Sequence, residues 1–176
     1  MSNTSESQHD SQEETRHLMS HGMGAILPKE GRLLGLDYGT KRLGVAVCDD
    51  LQIIASPLEN YSRYSIEADE LFLKQTVKEY RIIGIVVGLP VHMSGDEGGK
   101  ATEAREFGQW VAQVTGCPVA FRDERYTTSM ANDHLRDAGI RGGRRKELRD
   151  KIAAQIILQS YIDSNDRTIS PAPYYR

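Results

Sequence analysis

Three carboxylates fall where an α/β protein keeps its chemistry. Asp37 closes the apolar run Leu33-Leu34-Gly35-Leu36 and is followed by Tyr38-Gly39-Thr40-Lys41, a turn sequence. Glu124 sits in Asp123-Glu124-Arg125, directly behind an apolar run that begins at Val119. Both are therefore expected at the carboxyl ends of strands, the edge where open α/β sheets bind ligands. Asp150 shares a helical stripe with Ala153, Ala154, Ile157 and Tyr161, so a carboxylate extends an apolar face. A buried charge needs a partner, a shifted pKa or a metal ion. Acids from two strand ends and one helix suit hard cations such as Mg²⁺ or Mn²⁺, which take oxygen ligands and leave positions for water and phosphate. Two such ions about 4 Å apart activate a water and stabilise the leaving oxygen in phosphodiester hydrolysis. Each acid also has a plain structural use: Asp37 bonding its own turn, Glu124 pairing with Arg122 or Arg125, Asp150 bridging to Arg122. His92, alone in a glycine-rich loop, is either an aid to proton transfer or a surface residue.

Beside Asp150 runs Arg141-Gly142-Gly143-Arg144-Arg145-Lys146, and from Arg141 to Lys151 six bases and two acids give +4. Glycine and guanidinium together suit phosphate contacts on a mobile loop, with weak sequence preference and strong salt dependence. The alternative is a solvated helix start. We read Arg141, Arg144, Arg145 and Lys146 as nucleic-acid contacts, together with Lys41 and Arg42 behind Asp37 and Arg125 behind Glu124.

The elements that must position these groups follow from period and punctuation. Leu33–Asp37, Leu43–Cys48 and Ile53–Ala55 before Pro57 read as three strands in a meander. Ser65–Tyr80 places Ile66, Leu73, Val77 and Tyr80 at helical spacing. Arg81–Gly88 holds Ile82-Ile83-Gly84-Ile85-Val86-Val87, a strand buried on both faces and expected at the sheet centre. A helix over Lys100–Val114 is stopped by Gly116 and Pro118, and a strand follows at Val119–Arg122. Thr127 or Thr128 caps a helix that ends at Gly139. A last helix runs from about Glu147 to Asp163, and Pro171 and Pro173 leave the C-terminus extended. The late strands need crossover helices and so lie parallel.

The 176 residues suffice for one domain but not two lobes. With 39% apolar and 27% charged residues the chain is globular. Residues 1–30 carry five acids and two bases, and residues 31–176 sum to zero, so overall charge decides nothing about partners. The expected organisation is a disordered polar tail over 1–30, a domain over 31–165 and an extended tail over 166–176. Cys48 and Cys117 lie far apart, which excludes a zinc knuckle or disulfide framework and fits reduced thiols. No apolar stretch is long enough to span a bilayer and the N-terminus is acidic and polar, so neither a membrane nor a signal peptide is expected, and the location is the cytoplasm.

Taken together, Gly35-Leu36-Asp37-Tyr38-Gly39-Thr40-Lys41-Arg42 with Gly44-Val45-Ala46, Val87-Gly88-Leu89-Pro90, Asp123-Glu124-Arg125-Tyr126-Thr127-Thr128, and Asp150-Lys151-Ile152-Ala153-Ala154 with Ile157-Leu158-Gln159 resemble the YqgF/RuvX family from about Arg32 to Asp163. The long polar N-terminal tail departs from the usual pattern. The resemblance implies an RNase H-like fold: a mixed five-stranded sheet, an antiparallel three-strand meander plus parallel strands, with helices on both faces. It implies a cytoplasmic nuclease acting at the 5′ end of the small-subunit ribosomal RNA precursor, with Asp37, Glu124 and Asp150 as its acids. It also implies a second activity, resolution of Holliday junctions in branched DNA, which demands a homodimer. Two readings of other classes compete. Leu36-Asp37-Tyr38-Gly39-Thr40 also looks like the first phosphate loop of the actin, sugar kinase and Hsp70 superfamily, whose members close two lobes on ATP. A non-catalytic RNA-binding or ribosome-assembly module would need only the basic segment.

Overall fold

The strands are where apolar residues crowd, and they build one sheet. The computed structural model describes residues 25–90, 98–123 and 143–164, with side chains in the last segment from Ile152 onward. The elements are β1 Arg32–Tyr38, β2 Arg42–Cys48, β3 Ala55–Ser62, α1 Ile66–Tyr80, β4 Ile82–Leu89, α2 Gly99–Thr115, β5 Val119–Asp123 and α3 Gly143–Ile162. The helix expected between Thr127 and Gly139, residues 1–24 of the expected N-terminal tail, the C-terminal tail, and residues 91–97 with His92 lie outside the described residues.

The sheet order is β3-β2-β1-β4-β5. Strands β1, β2 and β3 pair antiparallel, whereas β4 runs parallel to β1 and β5 parallel to β4. This is the mixed five-stranded α/β sheet expected of an RNase H-like fold. Strand β1 takes the middle place, and β4, expected there, lies next to it; with neighbours on both sides and seven of its eight residues buried, β4 still reads as a continuous apolar run.

Alternation along the strands sorts the core into two layers. Leu34, Leu36, Val45, Ile85, Val87 and Phe121 face α1 and α2, where Leu73, Ala104, Phe107 and Val111 meet them. Leu33, Ala46, Val86 and Ala120 face Ala154, Ile157, Leu158 and Tyr161 of α3. Helices thus cover both faces, and among the described residues none is long and apolar enough to cross a membrane.

Three boundaries differ from those read in the sequence. Strand β3 begins at Ala55, because the Asp49 carboxylate accepts the N–H groups of Ile53 (2.9 Å) and Ile54 (2.7 Å) and holds both in the turn; these bonds lower the Asp49 pKa, the one from Ile54 most. The strand then passes through Pro57, which an edge position allows because no further strand needs its N–H; the register shifts there, between Val45 and Ala46 of β2. Second, residues 25–30, read as the end of the polar tail, pack on the sheet. Ala25 and Leu27 are buried against β4 and β5, and the Ala25 N–H donates to the Val119 carbonyl at 2.8 Å. Third, α3 starts at Gly143, four residues before Glu147, so Arg144, Arg145 and Lys146 lie on its first turn rather than on a loop.

Helix α1 follows its sequence signals closely. Ser65 accepts the Ala68 N–H as N-cap, and Arg81 closes the helix in a left-handed conformation. Ile66, assigned to the apolar stripe, is exposed, and Asp69 takes the buried position.

The closest approach of layers is at Gly35. A Cβ there would stand 2.7 Å from the Leu158 Cβ and 2.9 Å from the Ala154 carbonyl oxygen, distances no side chain tolerates without shifting α3. Gly35→Ala is therefore expected to destabilise the fold by roughly 1–3 kcal/mol, the usual range for overpacking. Gly99→Ala, where nothing lies within 4 Å of the new Cβ, is expected to be neutral or better. Denaturant midpoints of the two variants check the contrast.

Candidate active site

Strands β1, β4 and β5 run parallel and end together at Tyr38, Leu89 and Asp123, which gathers their following residues on one edge of the sheet. Asp37 pairs with Gly44 of β2 one residue before the end of β1, and is half-buried. By alternation it shares the face of Leu33 and Gly35, the face that α3 covers. Helix α3 touches β1 at Gly35 through Ala154. Position 150 precedes Ala154 by four residues on that helix, about one turn, and Asp37 is two residues along the strand from Gly35. The small residue on the helix and the glycine on the strand thus bring the two elements that carry these acids together.

Of the three acids read as a set, Asp37 is the one whose side chain the structure describes. Glu124 and Arg125, next after Asp123, lie outside the described residues, as does Arg141; Asp150, Arg144, Arg145 and Lys146 are placed by their backbone alone. Among the described residues no three of His, Cys, Asp and Glu form a metal-holding group. Lys41 and Arg42 are exposed at the β1–β2 turn beside Asp37. Arg122, a possible partner of the acids, points its Nε at Ser160 Oγ on α3, 3.1 Å away.

The turn behind Asp37 is held from below by residues that the sequence reading passed over. Gly39 fits because a Cβ would meet the Arg42 carbonyl oxygen at 2.7 Å. Arg63, just after β3, donates from Nη1 to the Gly39 carbonyl (3.1 Å) and from its backbone N–H to the Lys41 carbonyl (3.0 Å). Its Nε pairs with Asp69 Oδ2 at 2.7 Å, and Asp69 is only 3% exposed. The guanidinium also lies over the rings of Tyr38 and Phe107, at 5.2 and 5.5 Å. Burial works against the Arg63 charge, but hydrogen bonds to Asp69 and Tyr38 outweigh it and raise the pKa above an ordinary arginine's, so the cation persists at every working pH. Tyr61, packed flat on Phe72, has its hydroxyl pKa raised by burial and then by the Asp69 carboxylate. A signal for Asp69 was present: like Asp150, it extends an apolar stripe, here one turn before Leu73.

A family model described as "Holliday junction resolvase", that of RuvX, matches residues 31–164. The chain belongs to the RuvX family. Relatives of this RuvX-family chain include proteins of Rhodopirellula baltica, 41% identical over 137 residues (78% of this chain, 79% of that protein), and Lactococcus lactis subsp. lactis, 44% identical over 137 residues (76% and 95%). Another, of Rhodobacter capsulatus, is 44% identical over 139 residues (79% and 87%). Each bears the name "Putative pre-16S rRNA nuclease". Solved structures that resemble the fold include T. thermophilus RuvC in complex with a Holliday junction substrate, at TM-score 0.45 and 17% identity over 74% of this chain and 92% of that one. The yeast mitochondrial Holliday junction resolvase Ydc2 gives TM-score 0.46 at 12% identity, over 86% and 84%.

Removing one partner of a buried pair leaves the other charge uncompensated, at a cost of about 3–5 kcal/mol. Asp69→Asn is expected to destabilise towards that range, the Arg63 side chain keeping some solvent contact (17% exposed). Asp69→Asn combined with Arg63→Met is expected to recover part of the loss. A double-mutant cycle in urea checks both.

Proposed function

We propose that this RuvX-family chain is a metal-dependent endonuclease that hydrolyses phosphodiester bonds in structured nucleic acid, with the 5′ end of the small-subunit ribosomal RNA precursor as its substrate, in the cytoplasm. The observation that carries the reading is the place of Asp37: an acid at the carboxyl end of the middle strand, on the face covered by the helix that bears Asp150. Membership in the family and the names of relatives above 40% identity point the same way.

In this reading Asp37, Glu124 and Asp150 hold Mg²⁺ or Mn²⁺, in all two ions, and oxygen donors are the ligands such cations prefer. When bound, the ions supply an activated water and charge stabilisation for the leaving oxygen. The chain's own part is to fix the acids: β1 carries Asp37, and the Arg63–Asp69 brace holds the turn that follows it. Arg144, Arg145 and Lys146 on the first turn of α3, with Arg141, Arg125, Lys41 and Arg42, draw in and orient the phosphate backbone; a helix N-terminus adds to that attraction.

The family model's description favours a second reading, cleavage of four-way DNA junctions by a homodimer that presents two such sites. Incubating the protein with Mn²⁺ and each substrate side by side separates the two: cleavage of the ribosomal precursor and not of the junction is the expected result, and the reverse overturns it. The two-lobed ATP reading finds no second lobe among the described residues, which form one sheet.

Asp37→Asn is expected to lower cleavage by at least about two orders of magnitude, since metal-ion assistance contributes several kcal/mol and each ~1.4 kcal/mol is tenfold, while nucleic-acid binding persists. Cleavage and gel-shift assays on one preparation check this; unchanged cleavage removes Asp37 from the mechanism. Arg144→Ala with Arg145→Ala is expected to weaken binding across substrates and flatten the slope of log K against log salt by about 2, measured by fluorescence anisotropy.

A further inference from the structure

Asp37 shares its row of the sheet with one other polar side chain on the β3 side. Its antiparallel partner in β2 is Gly44, and the partner of Gly44 in β3 is Asn60. Residues directly opposite one another share a face, so Asn60 and Asp37 both lie on the face that α3 covers; Tyr61, the next residue of β3, packs with the core of the other face. Gly44 adds no side chain between them. On the far side of Asp37 the row offers another glycine, because Val87 of β4 pairs with Leu36 and Gly88 follows it. The side-chain oxygen of Asn60 is buried and has no hydrogen-bond partner among the described residues. We propose that this oxygen belongs to the cation site: it accepts a hydrogen bond from a water carried by the divalent ion at Asp37, and so fixes that ion's hydration shell.

Chemistry, spacing and cost argue for that role. Buried side-chain oxygens are nearly always paired, and an orphan points to a catalytic part or to a place for a water or ion. Asn60 Oδ1 can only accept, so its partner must be a donor. The phosphate oxygens of a bound strand are acceptors and cannot satisfy it. A water on a cation is a donor, and Mg²⁺ keeps several of its waters when carboxylates bind it. Two antiparallel steps of about 5 Å set the Asn60 and Asp37 backbones about 10 Å apart. That is wide for two oxygens on one ion, and suits an ion with a water between it and the carboxamide. Asn and Gly are both depleted in strands, so opposing them here forgoes packing that a β-branched pair would supply. Asn60 is thus a positioning residue that acts through the ion, as the outer partners of metal ligands do. The proposal rests on the cation-dependent reading of the preceding section, and adds to it a neutral oxygen from β3, a strand that carries none of the three acids.

The test counts free Mn²⁺ by electron paramagnetic resonance as the ion is titrated into the full-length protein, without nucleic acid, for the wild type, Asn60→Leu and Asn60→Asp. Asn60→Leu removes the acceptor and nearly keeps the volume. Its Mn²⁺ affinity is expected to fall at least about tenfold, the usual loss when an outer partner of a metal ligand is removed. Its urea midpoint in EDTA is expected to stay at or above that of the wild type, because an unpaired buried oxygen gives way to an apolar group. Asn60→Asp keeps an oxygen at this position and is expected to bind Mn²⁺ at least as tightly as the wild type. A merely structural asparagine gives the opposite pattern, a lower midpoint in Asn60→Leu, and that result overturns the proposal. Unchanged affinity in Asn60→Leu also overturns it and assigns the oxygen to a donor on the substrate, as does a loss in Asn60→Asp equal to that in Asn60→Leu. The two levels of the account separate cleanly: wild-type binding that Asn60→Leu leaves untouched removes Asn60 alone, whereas a wild type that binds no Mn²⁺ removes the cation reading and Asn60 with it.

Discussion

The approach of α3 to β1 at Gly35 is the constraint on which the rest of the architecture depends. With no Cβ on the strand and only a methyl group at Ala154 on the helix, backbone and carbonyl come into contact where other pairs would hold the layers apart. That contact sets the depth at which α3 rides on β1, β2 and β3, and hence where its N-terminal turns, with position 150 and the basic cluster, stand relative to the end of β1. A larger residue at Gly35 would press on Leu158 and the Ala154 carbonyl of α3, and so shift position 150 relative to Asp37.

The sheet then divides labour between its faces. Towards α3, the strand alternation presents Leu33, Gly35 and Asp37, and Arg144, Arg145 and Lys146 belong to the first turn of that helix. Towards α1 and α2 it presents Leu34, Leu36 and Tyr38, with the Arg63–Asp69 pair beneath the turn. A buried ion pair is a weak stabiliser compared with apolar packing. Its use here is positional: Arg63 ties together the carbonyl of Gly39, by its guanidinium, and that of Lys41, by its backbone N–H, and the Asp69 carboxylate keeps the guanidinium in place.

Much of this was legible in the residues. Period-2 and apolar-run patterns located four of the five strands, whereas the run read as the third, Ile53–Ala55, meets β3 at Ala55 alone; helical spacing over Ser65–Tyr80 located α1, and the Gly116 stop the end of α2. Asp37 was legible as the acid that closes an apolar run, and Ala154 as a member of the apolar stripe of the last helix. What escaped was set by contacts distant in the chain or by competition for backbone groups. Asp49 diverts the N–H groups of Ile53 and Ile54, which no alternation pattern reveals. Ala25-Ile26-Leu27 is a short apolar run in a polar stretch, too short to read as an element until β4 and β5 supply the surface that buries Ala25 and Leu27. Arg63 looks like a surface base because its partner lies on a helix whose stripe was assigned to Ile66 instead of Asp69.

The central claim is that acids from a strand end, a following segment and a crossing helix share one pair of divalent cations. Calorimetric titration of Mn²⁺ into the wild-type protein and into Asp37→Asn, Glu124→Gln and Asp150→Asn tests it most directly. The account predicts saturable binding near two ions per chain that each single substitution weakens at least tenfold, with folded spectra retained. Mn²⁺ binding that survives all three substitutions unchanged would contradict it.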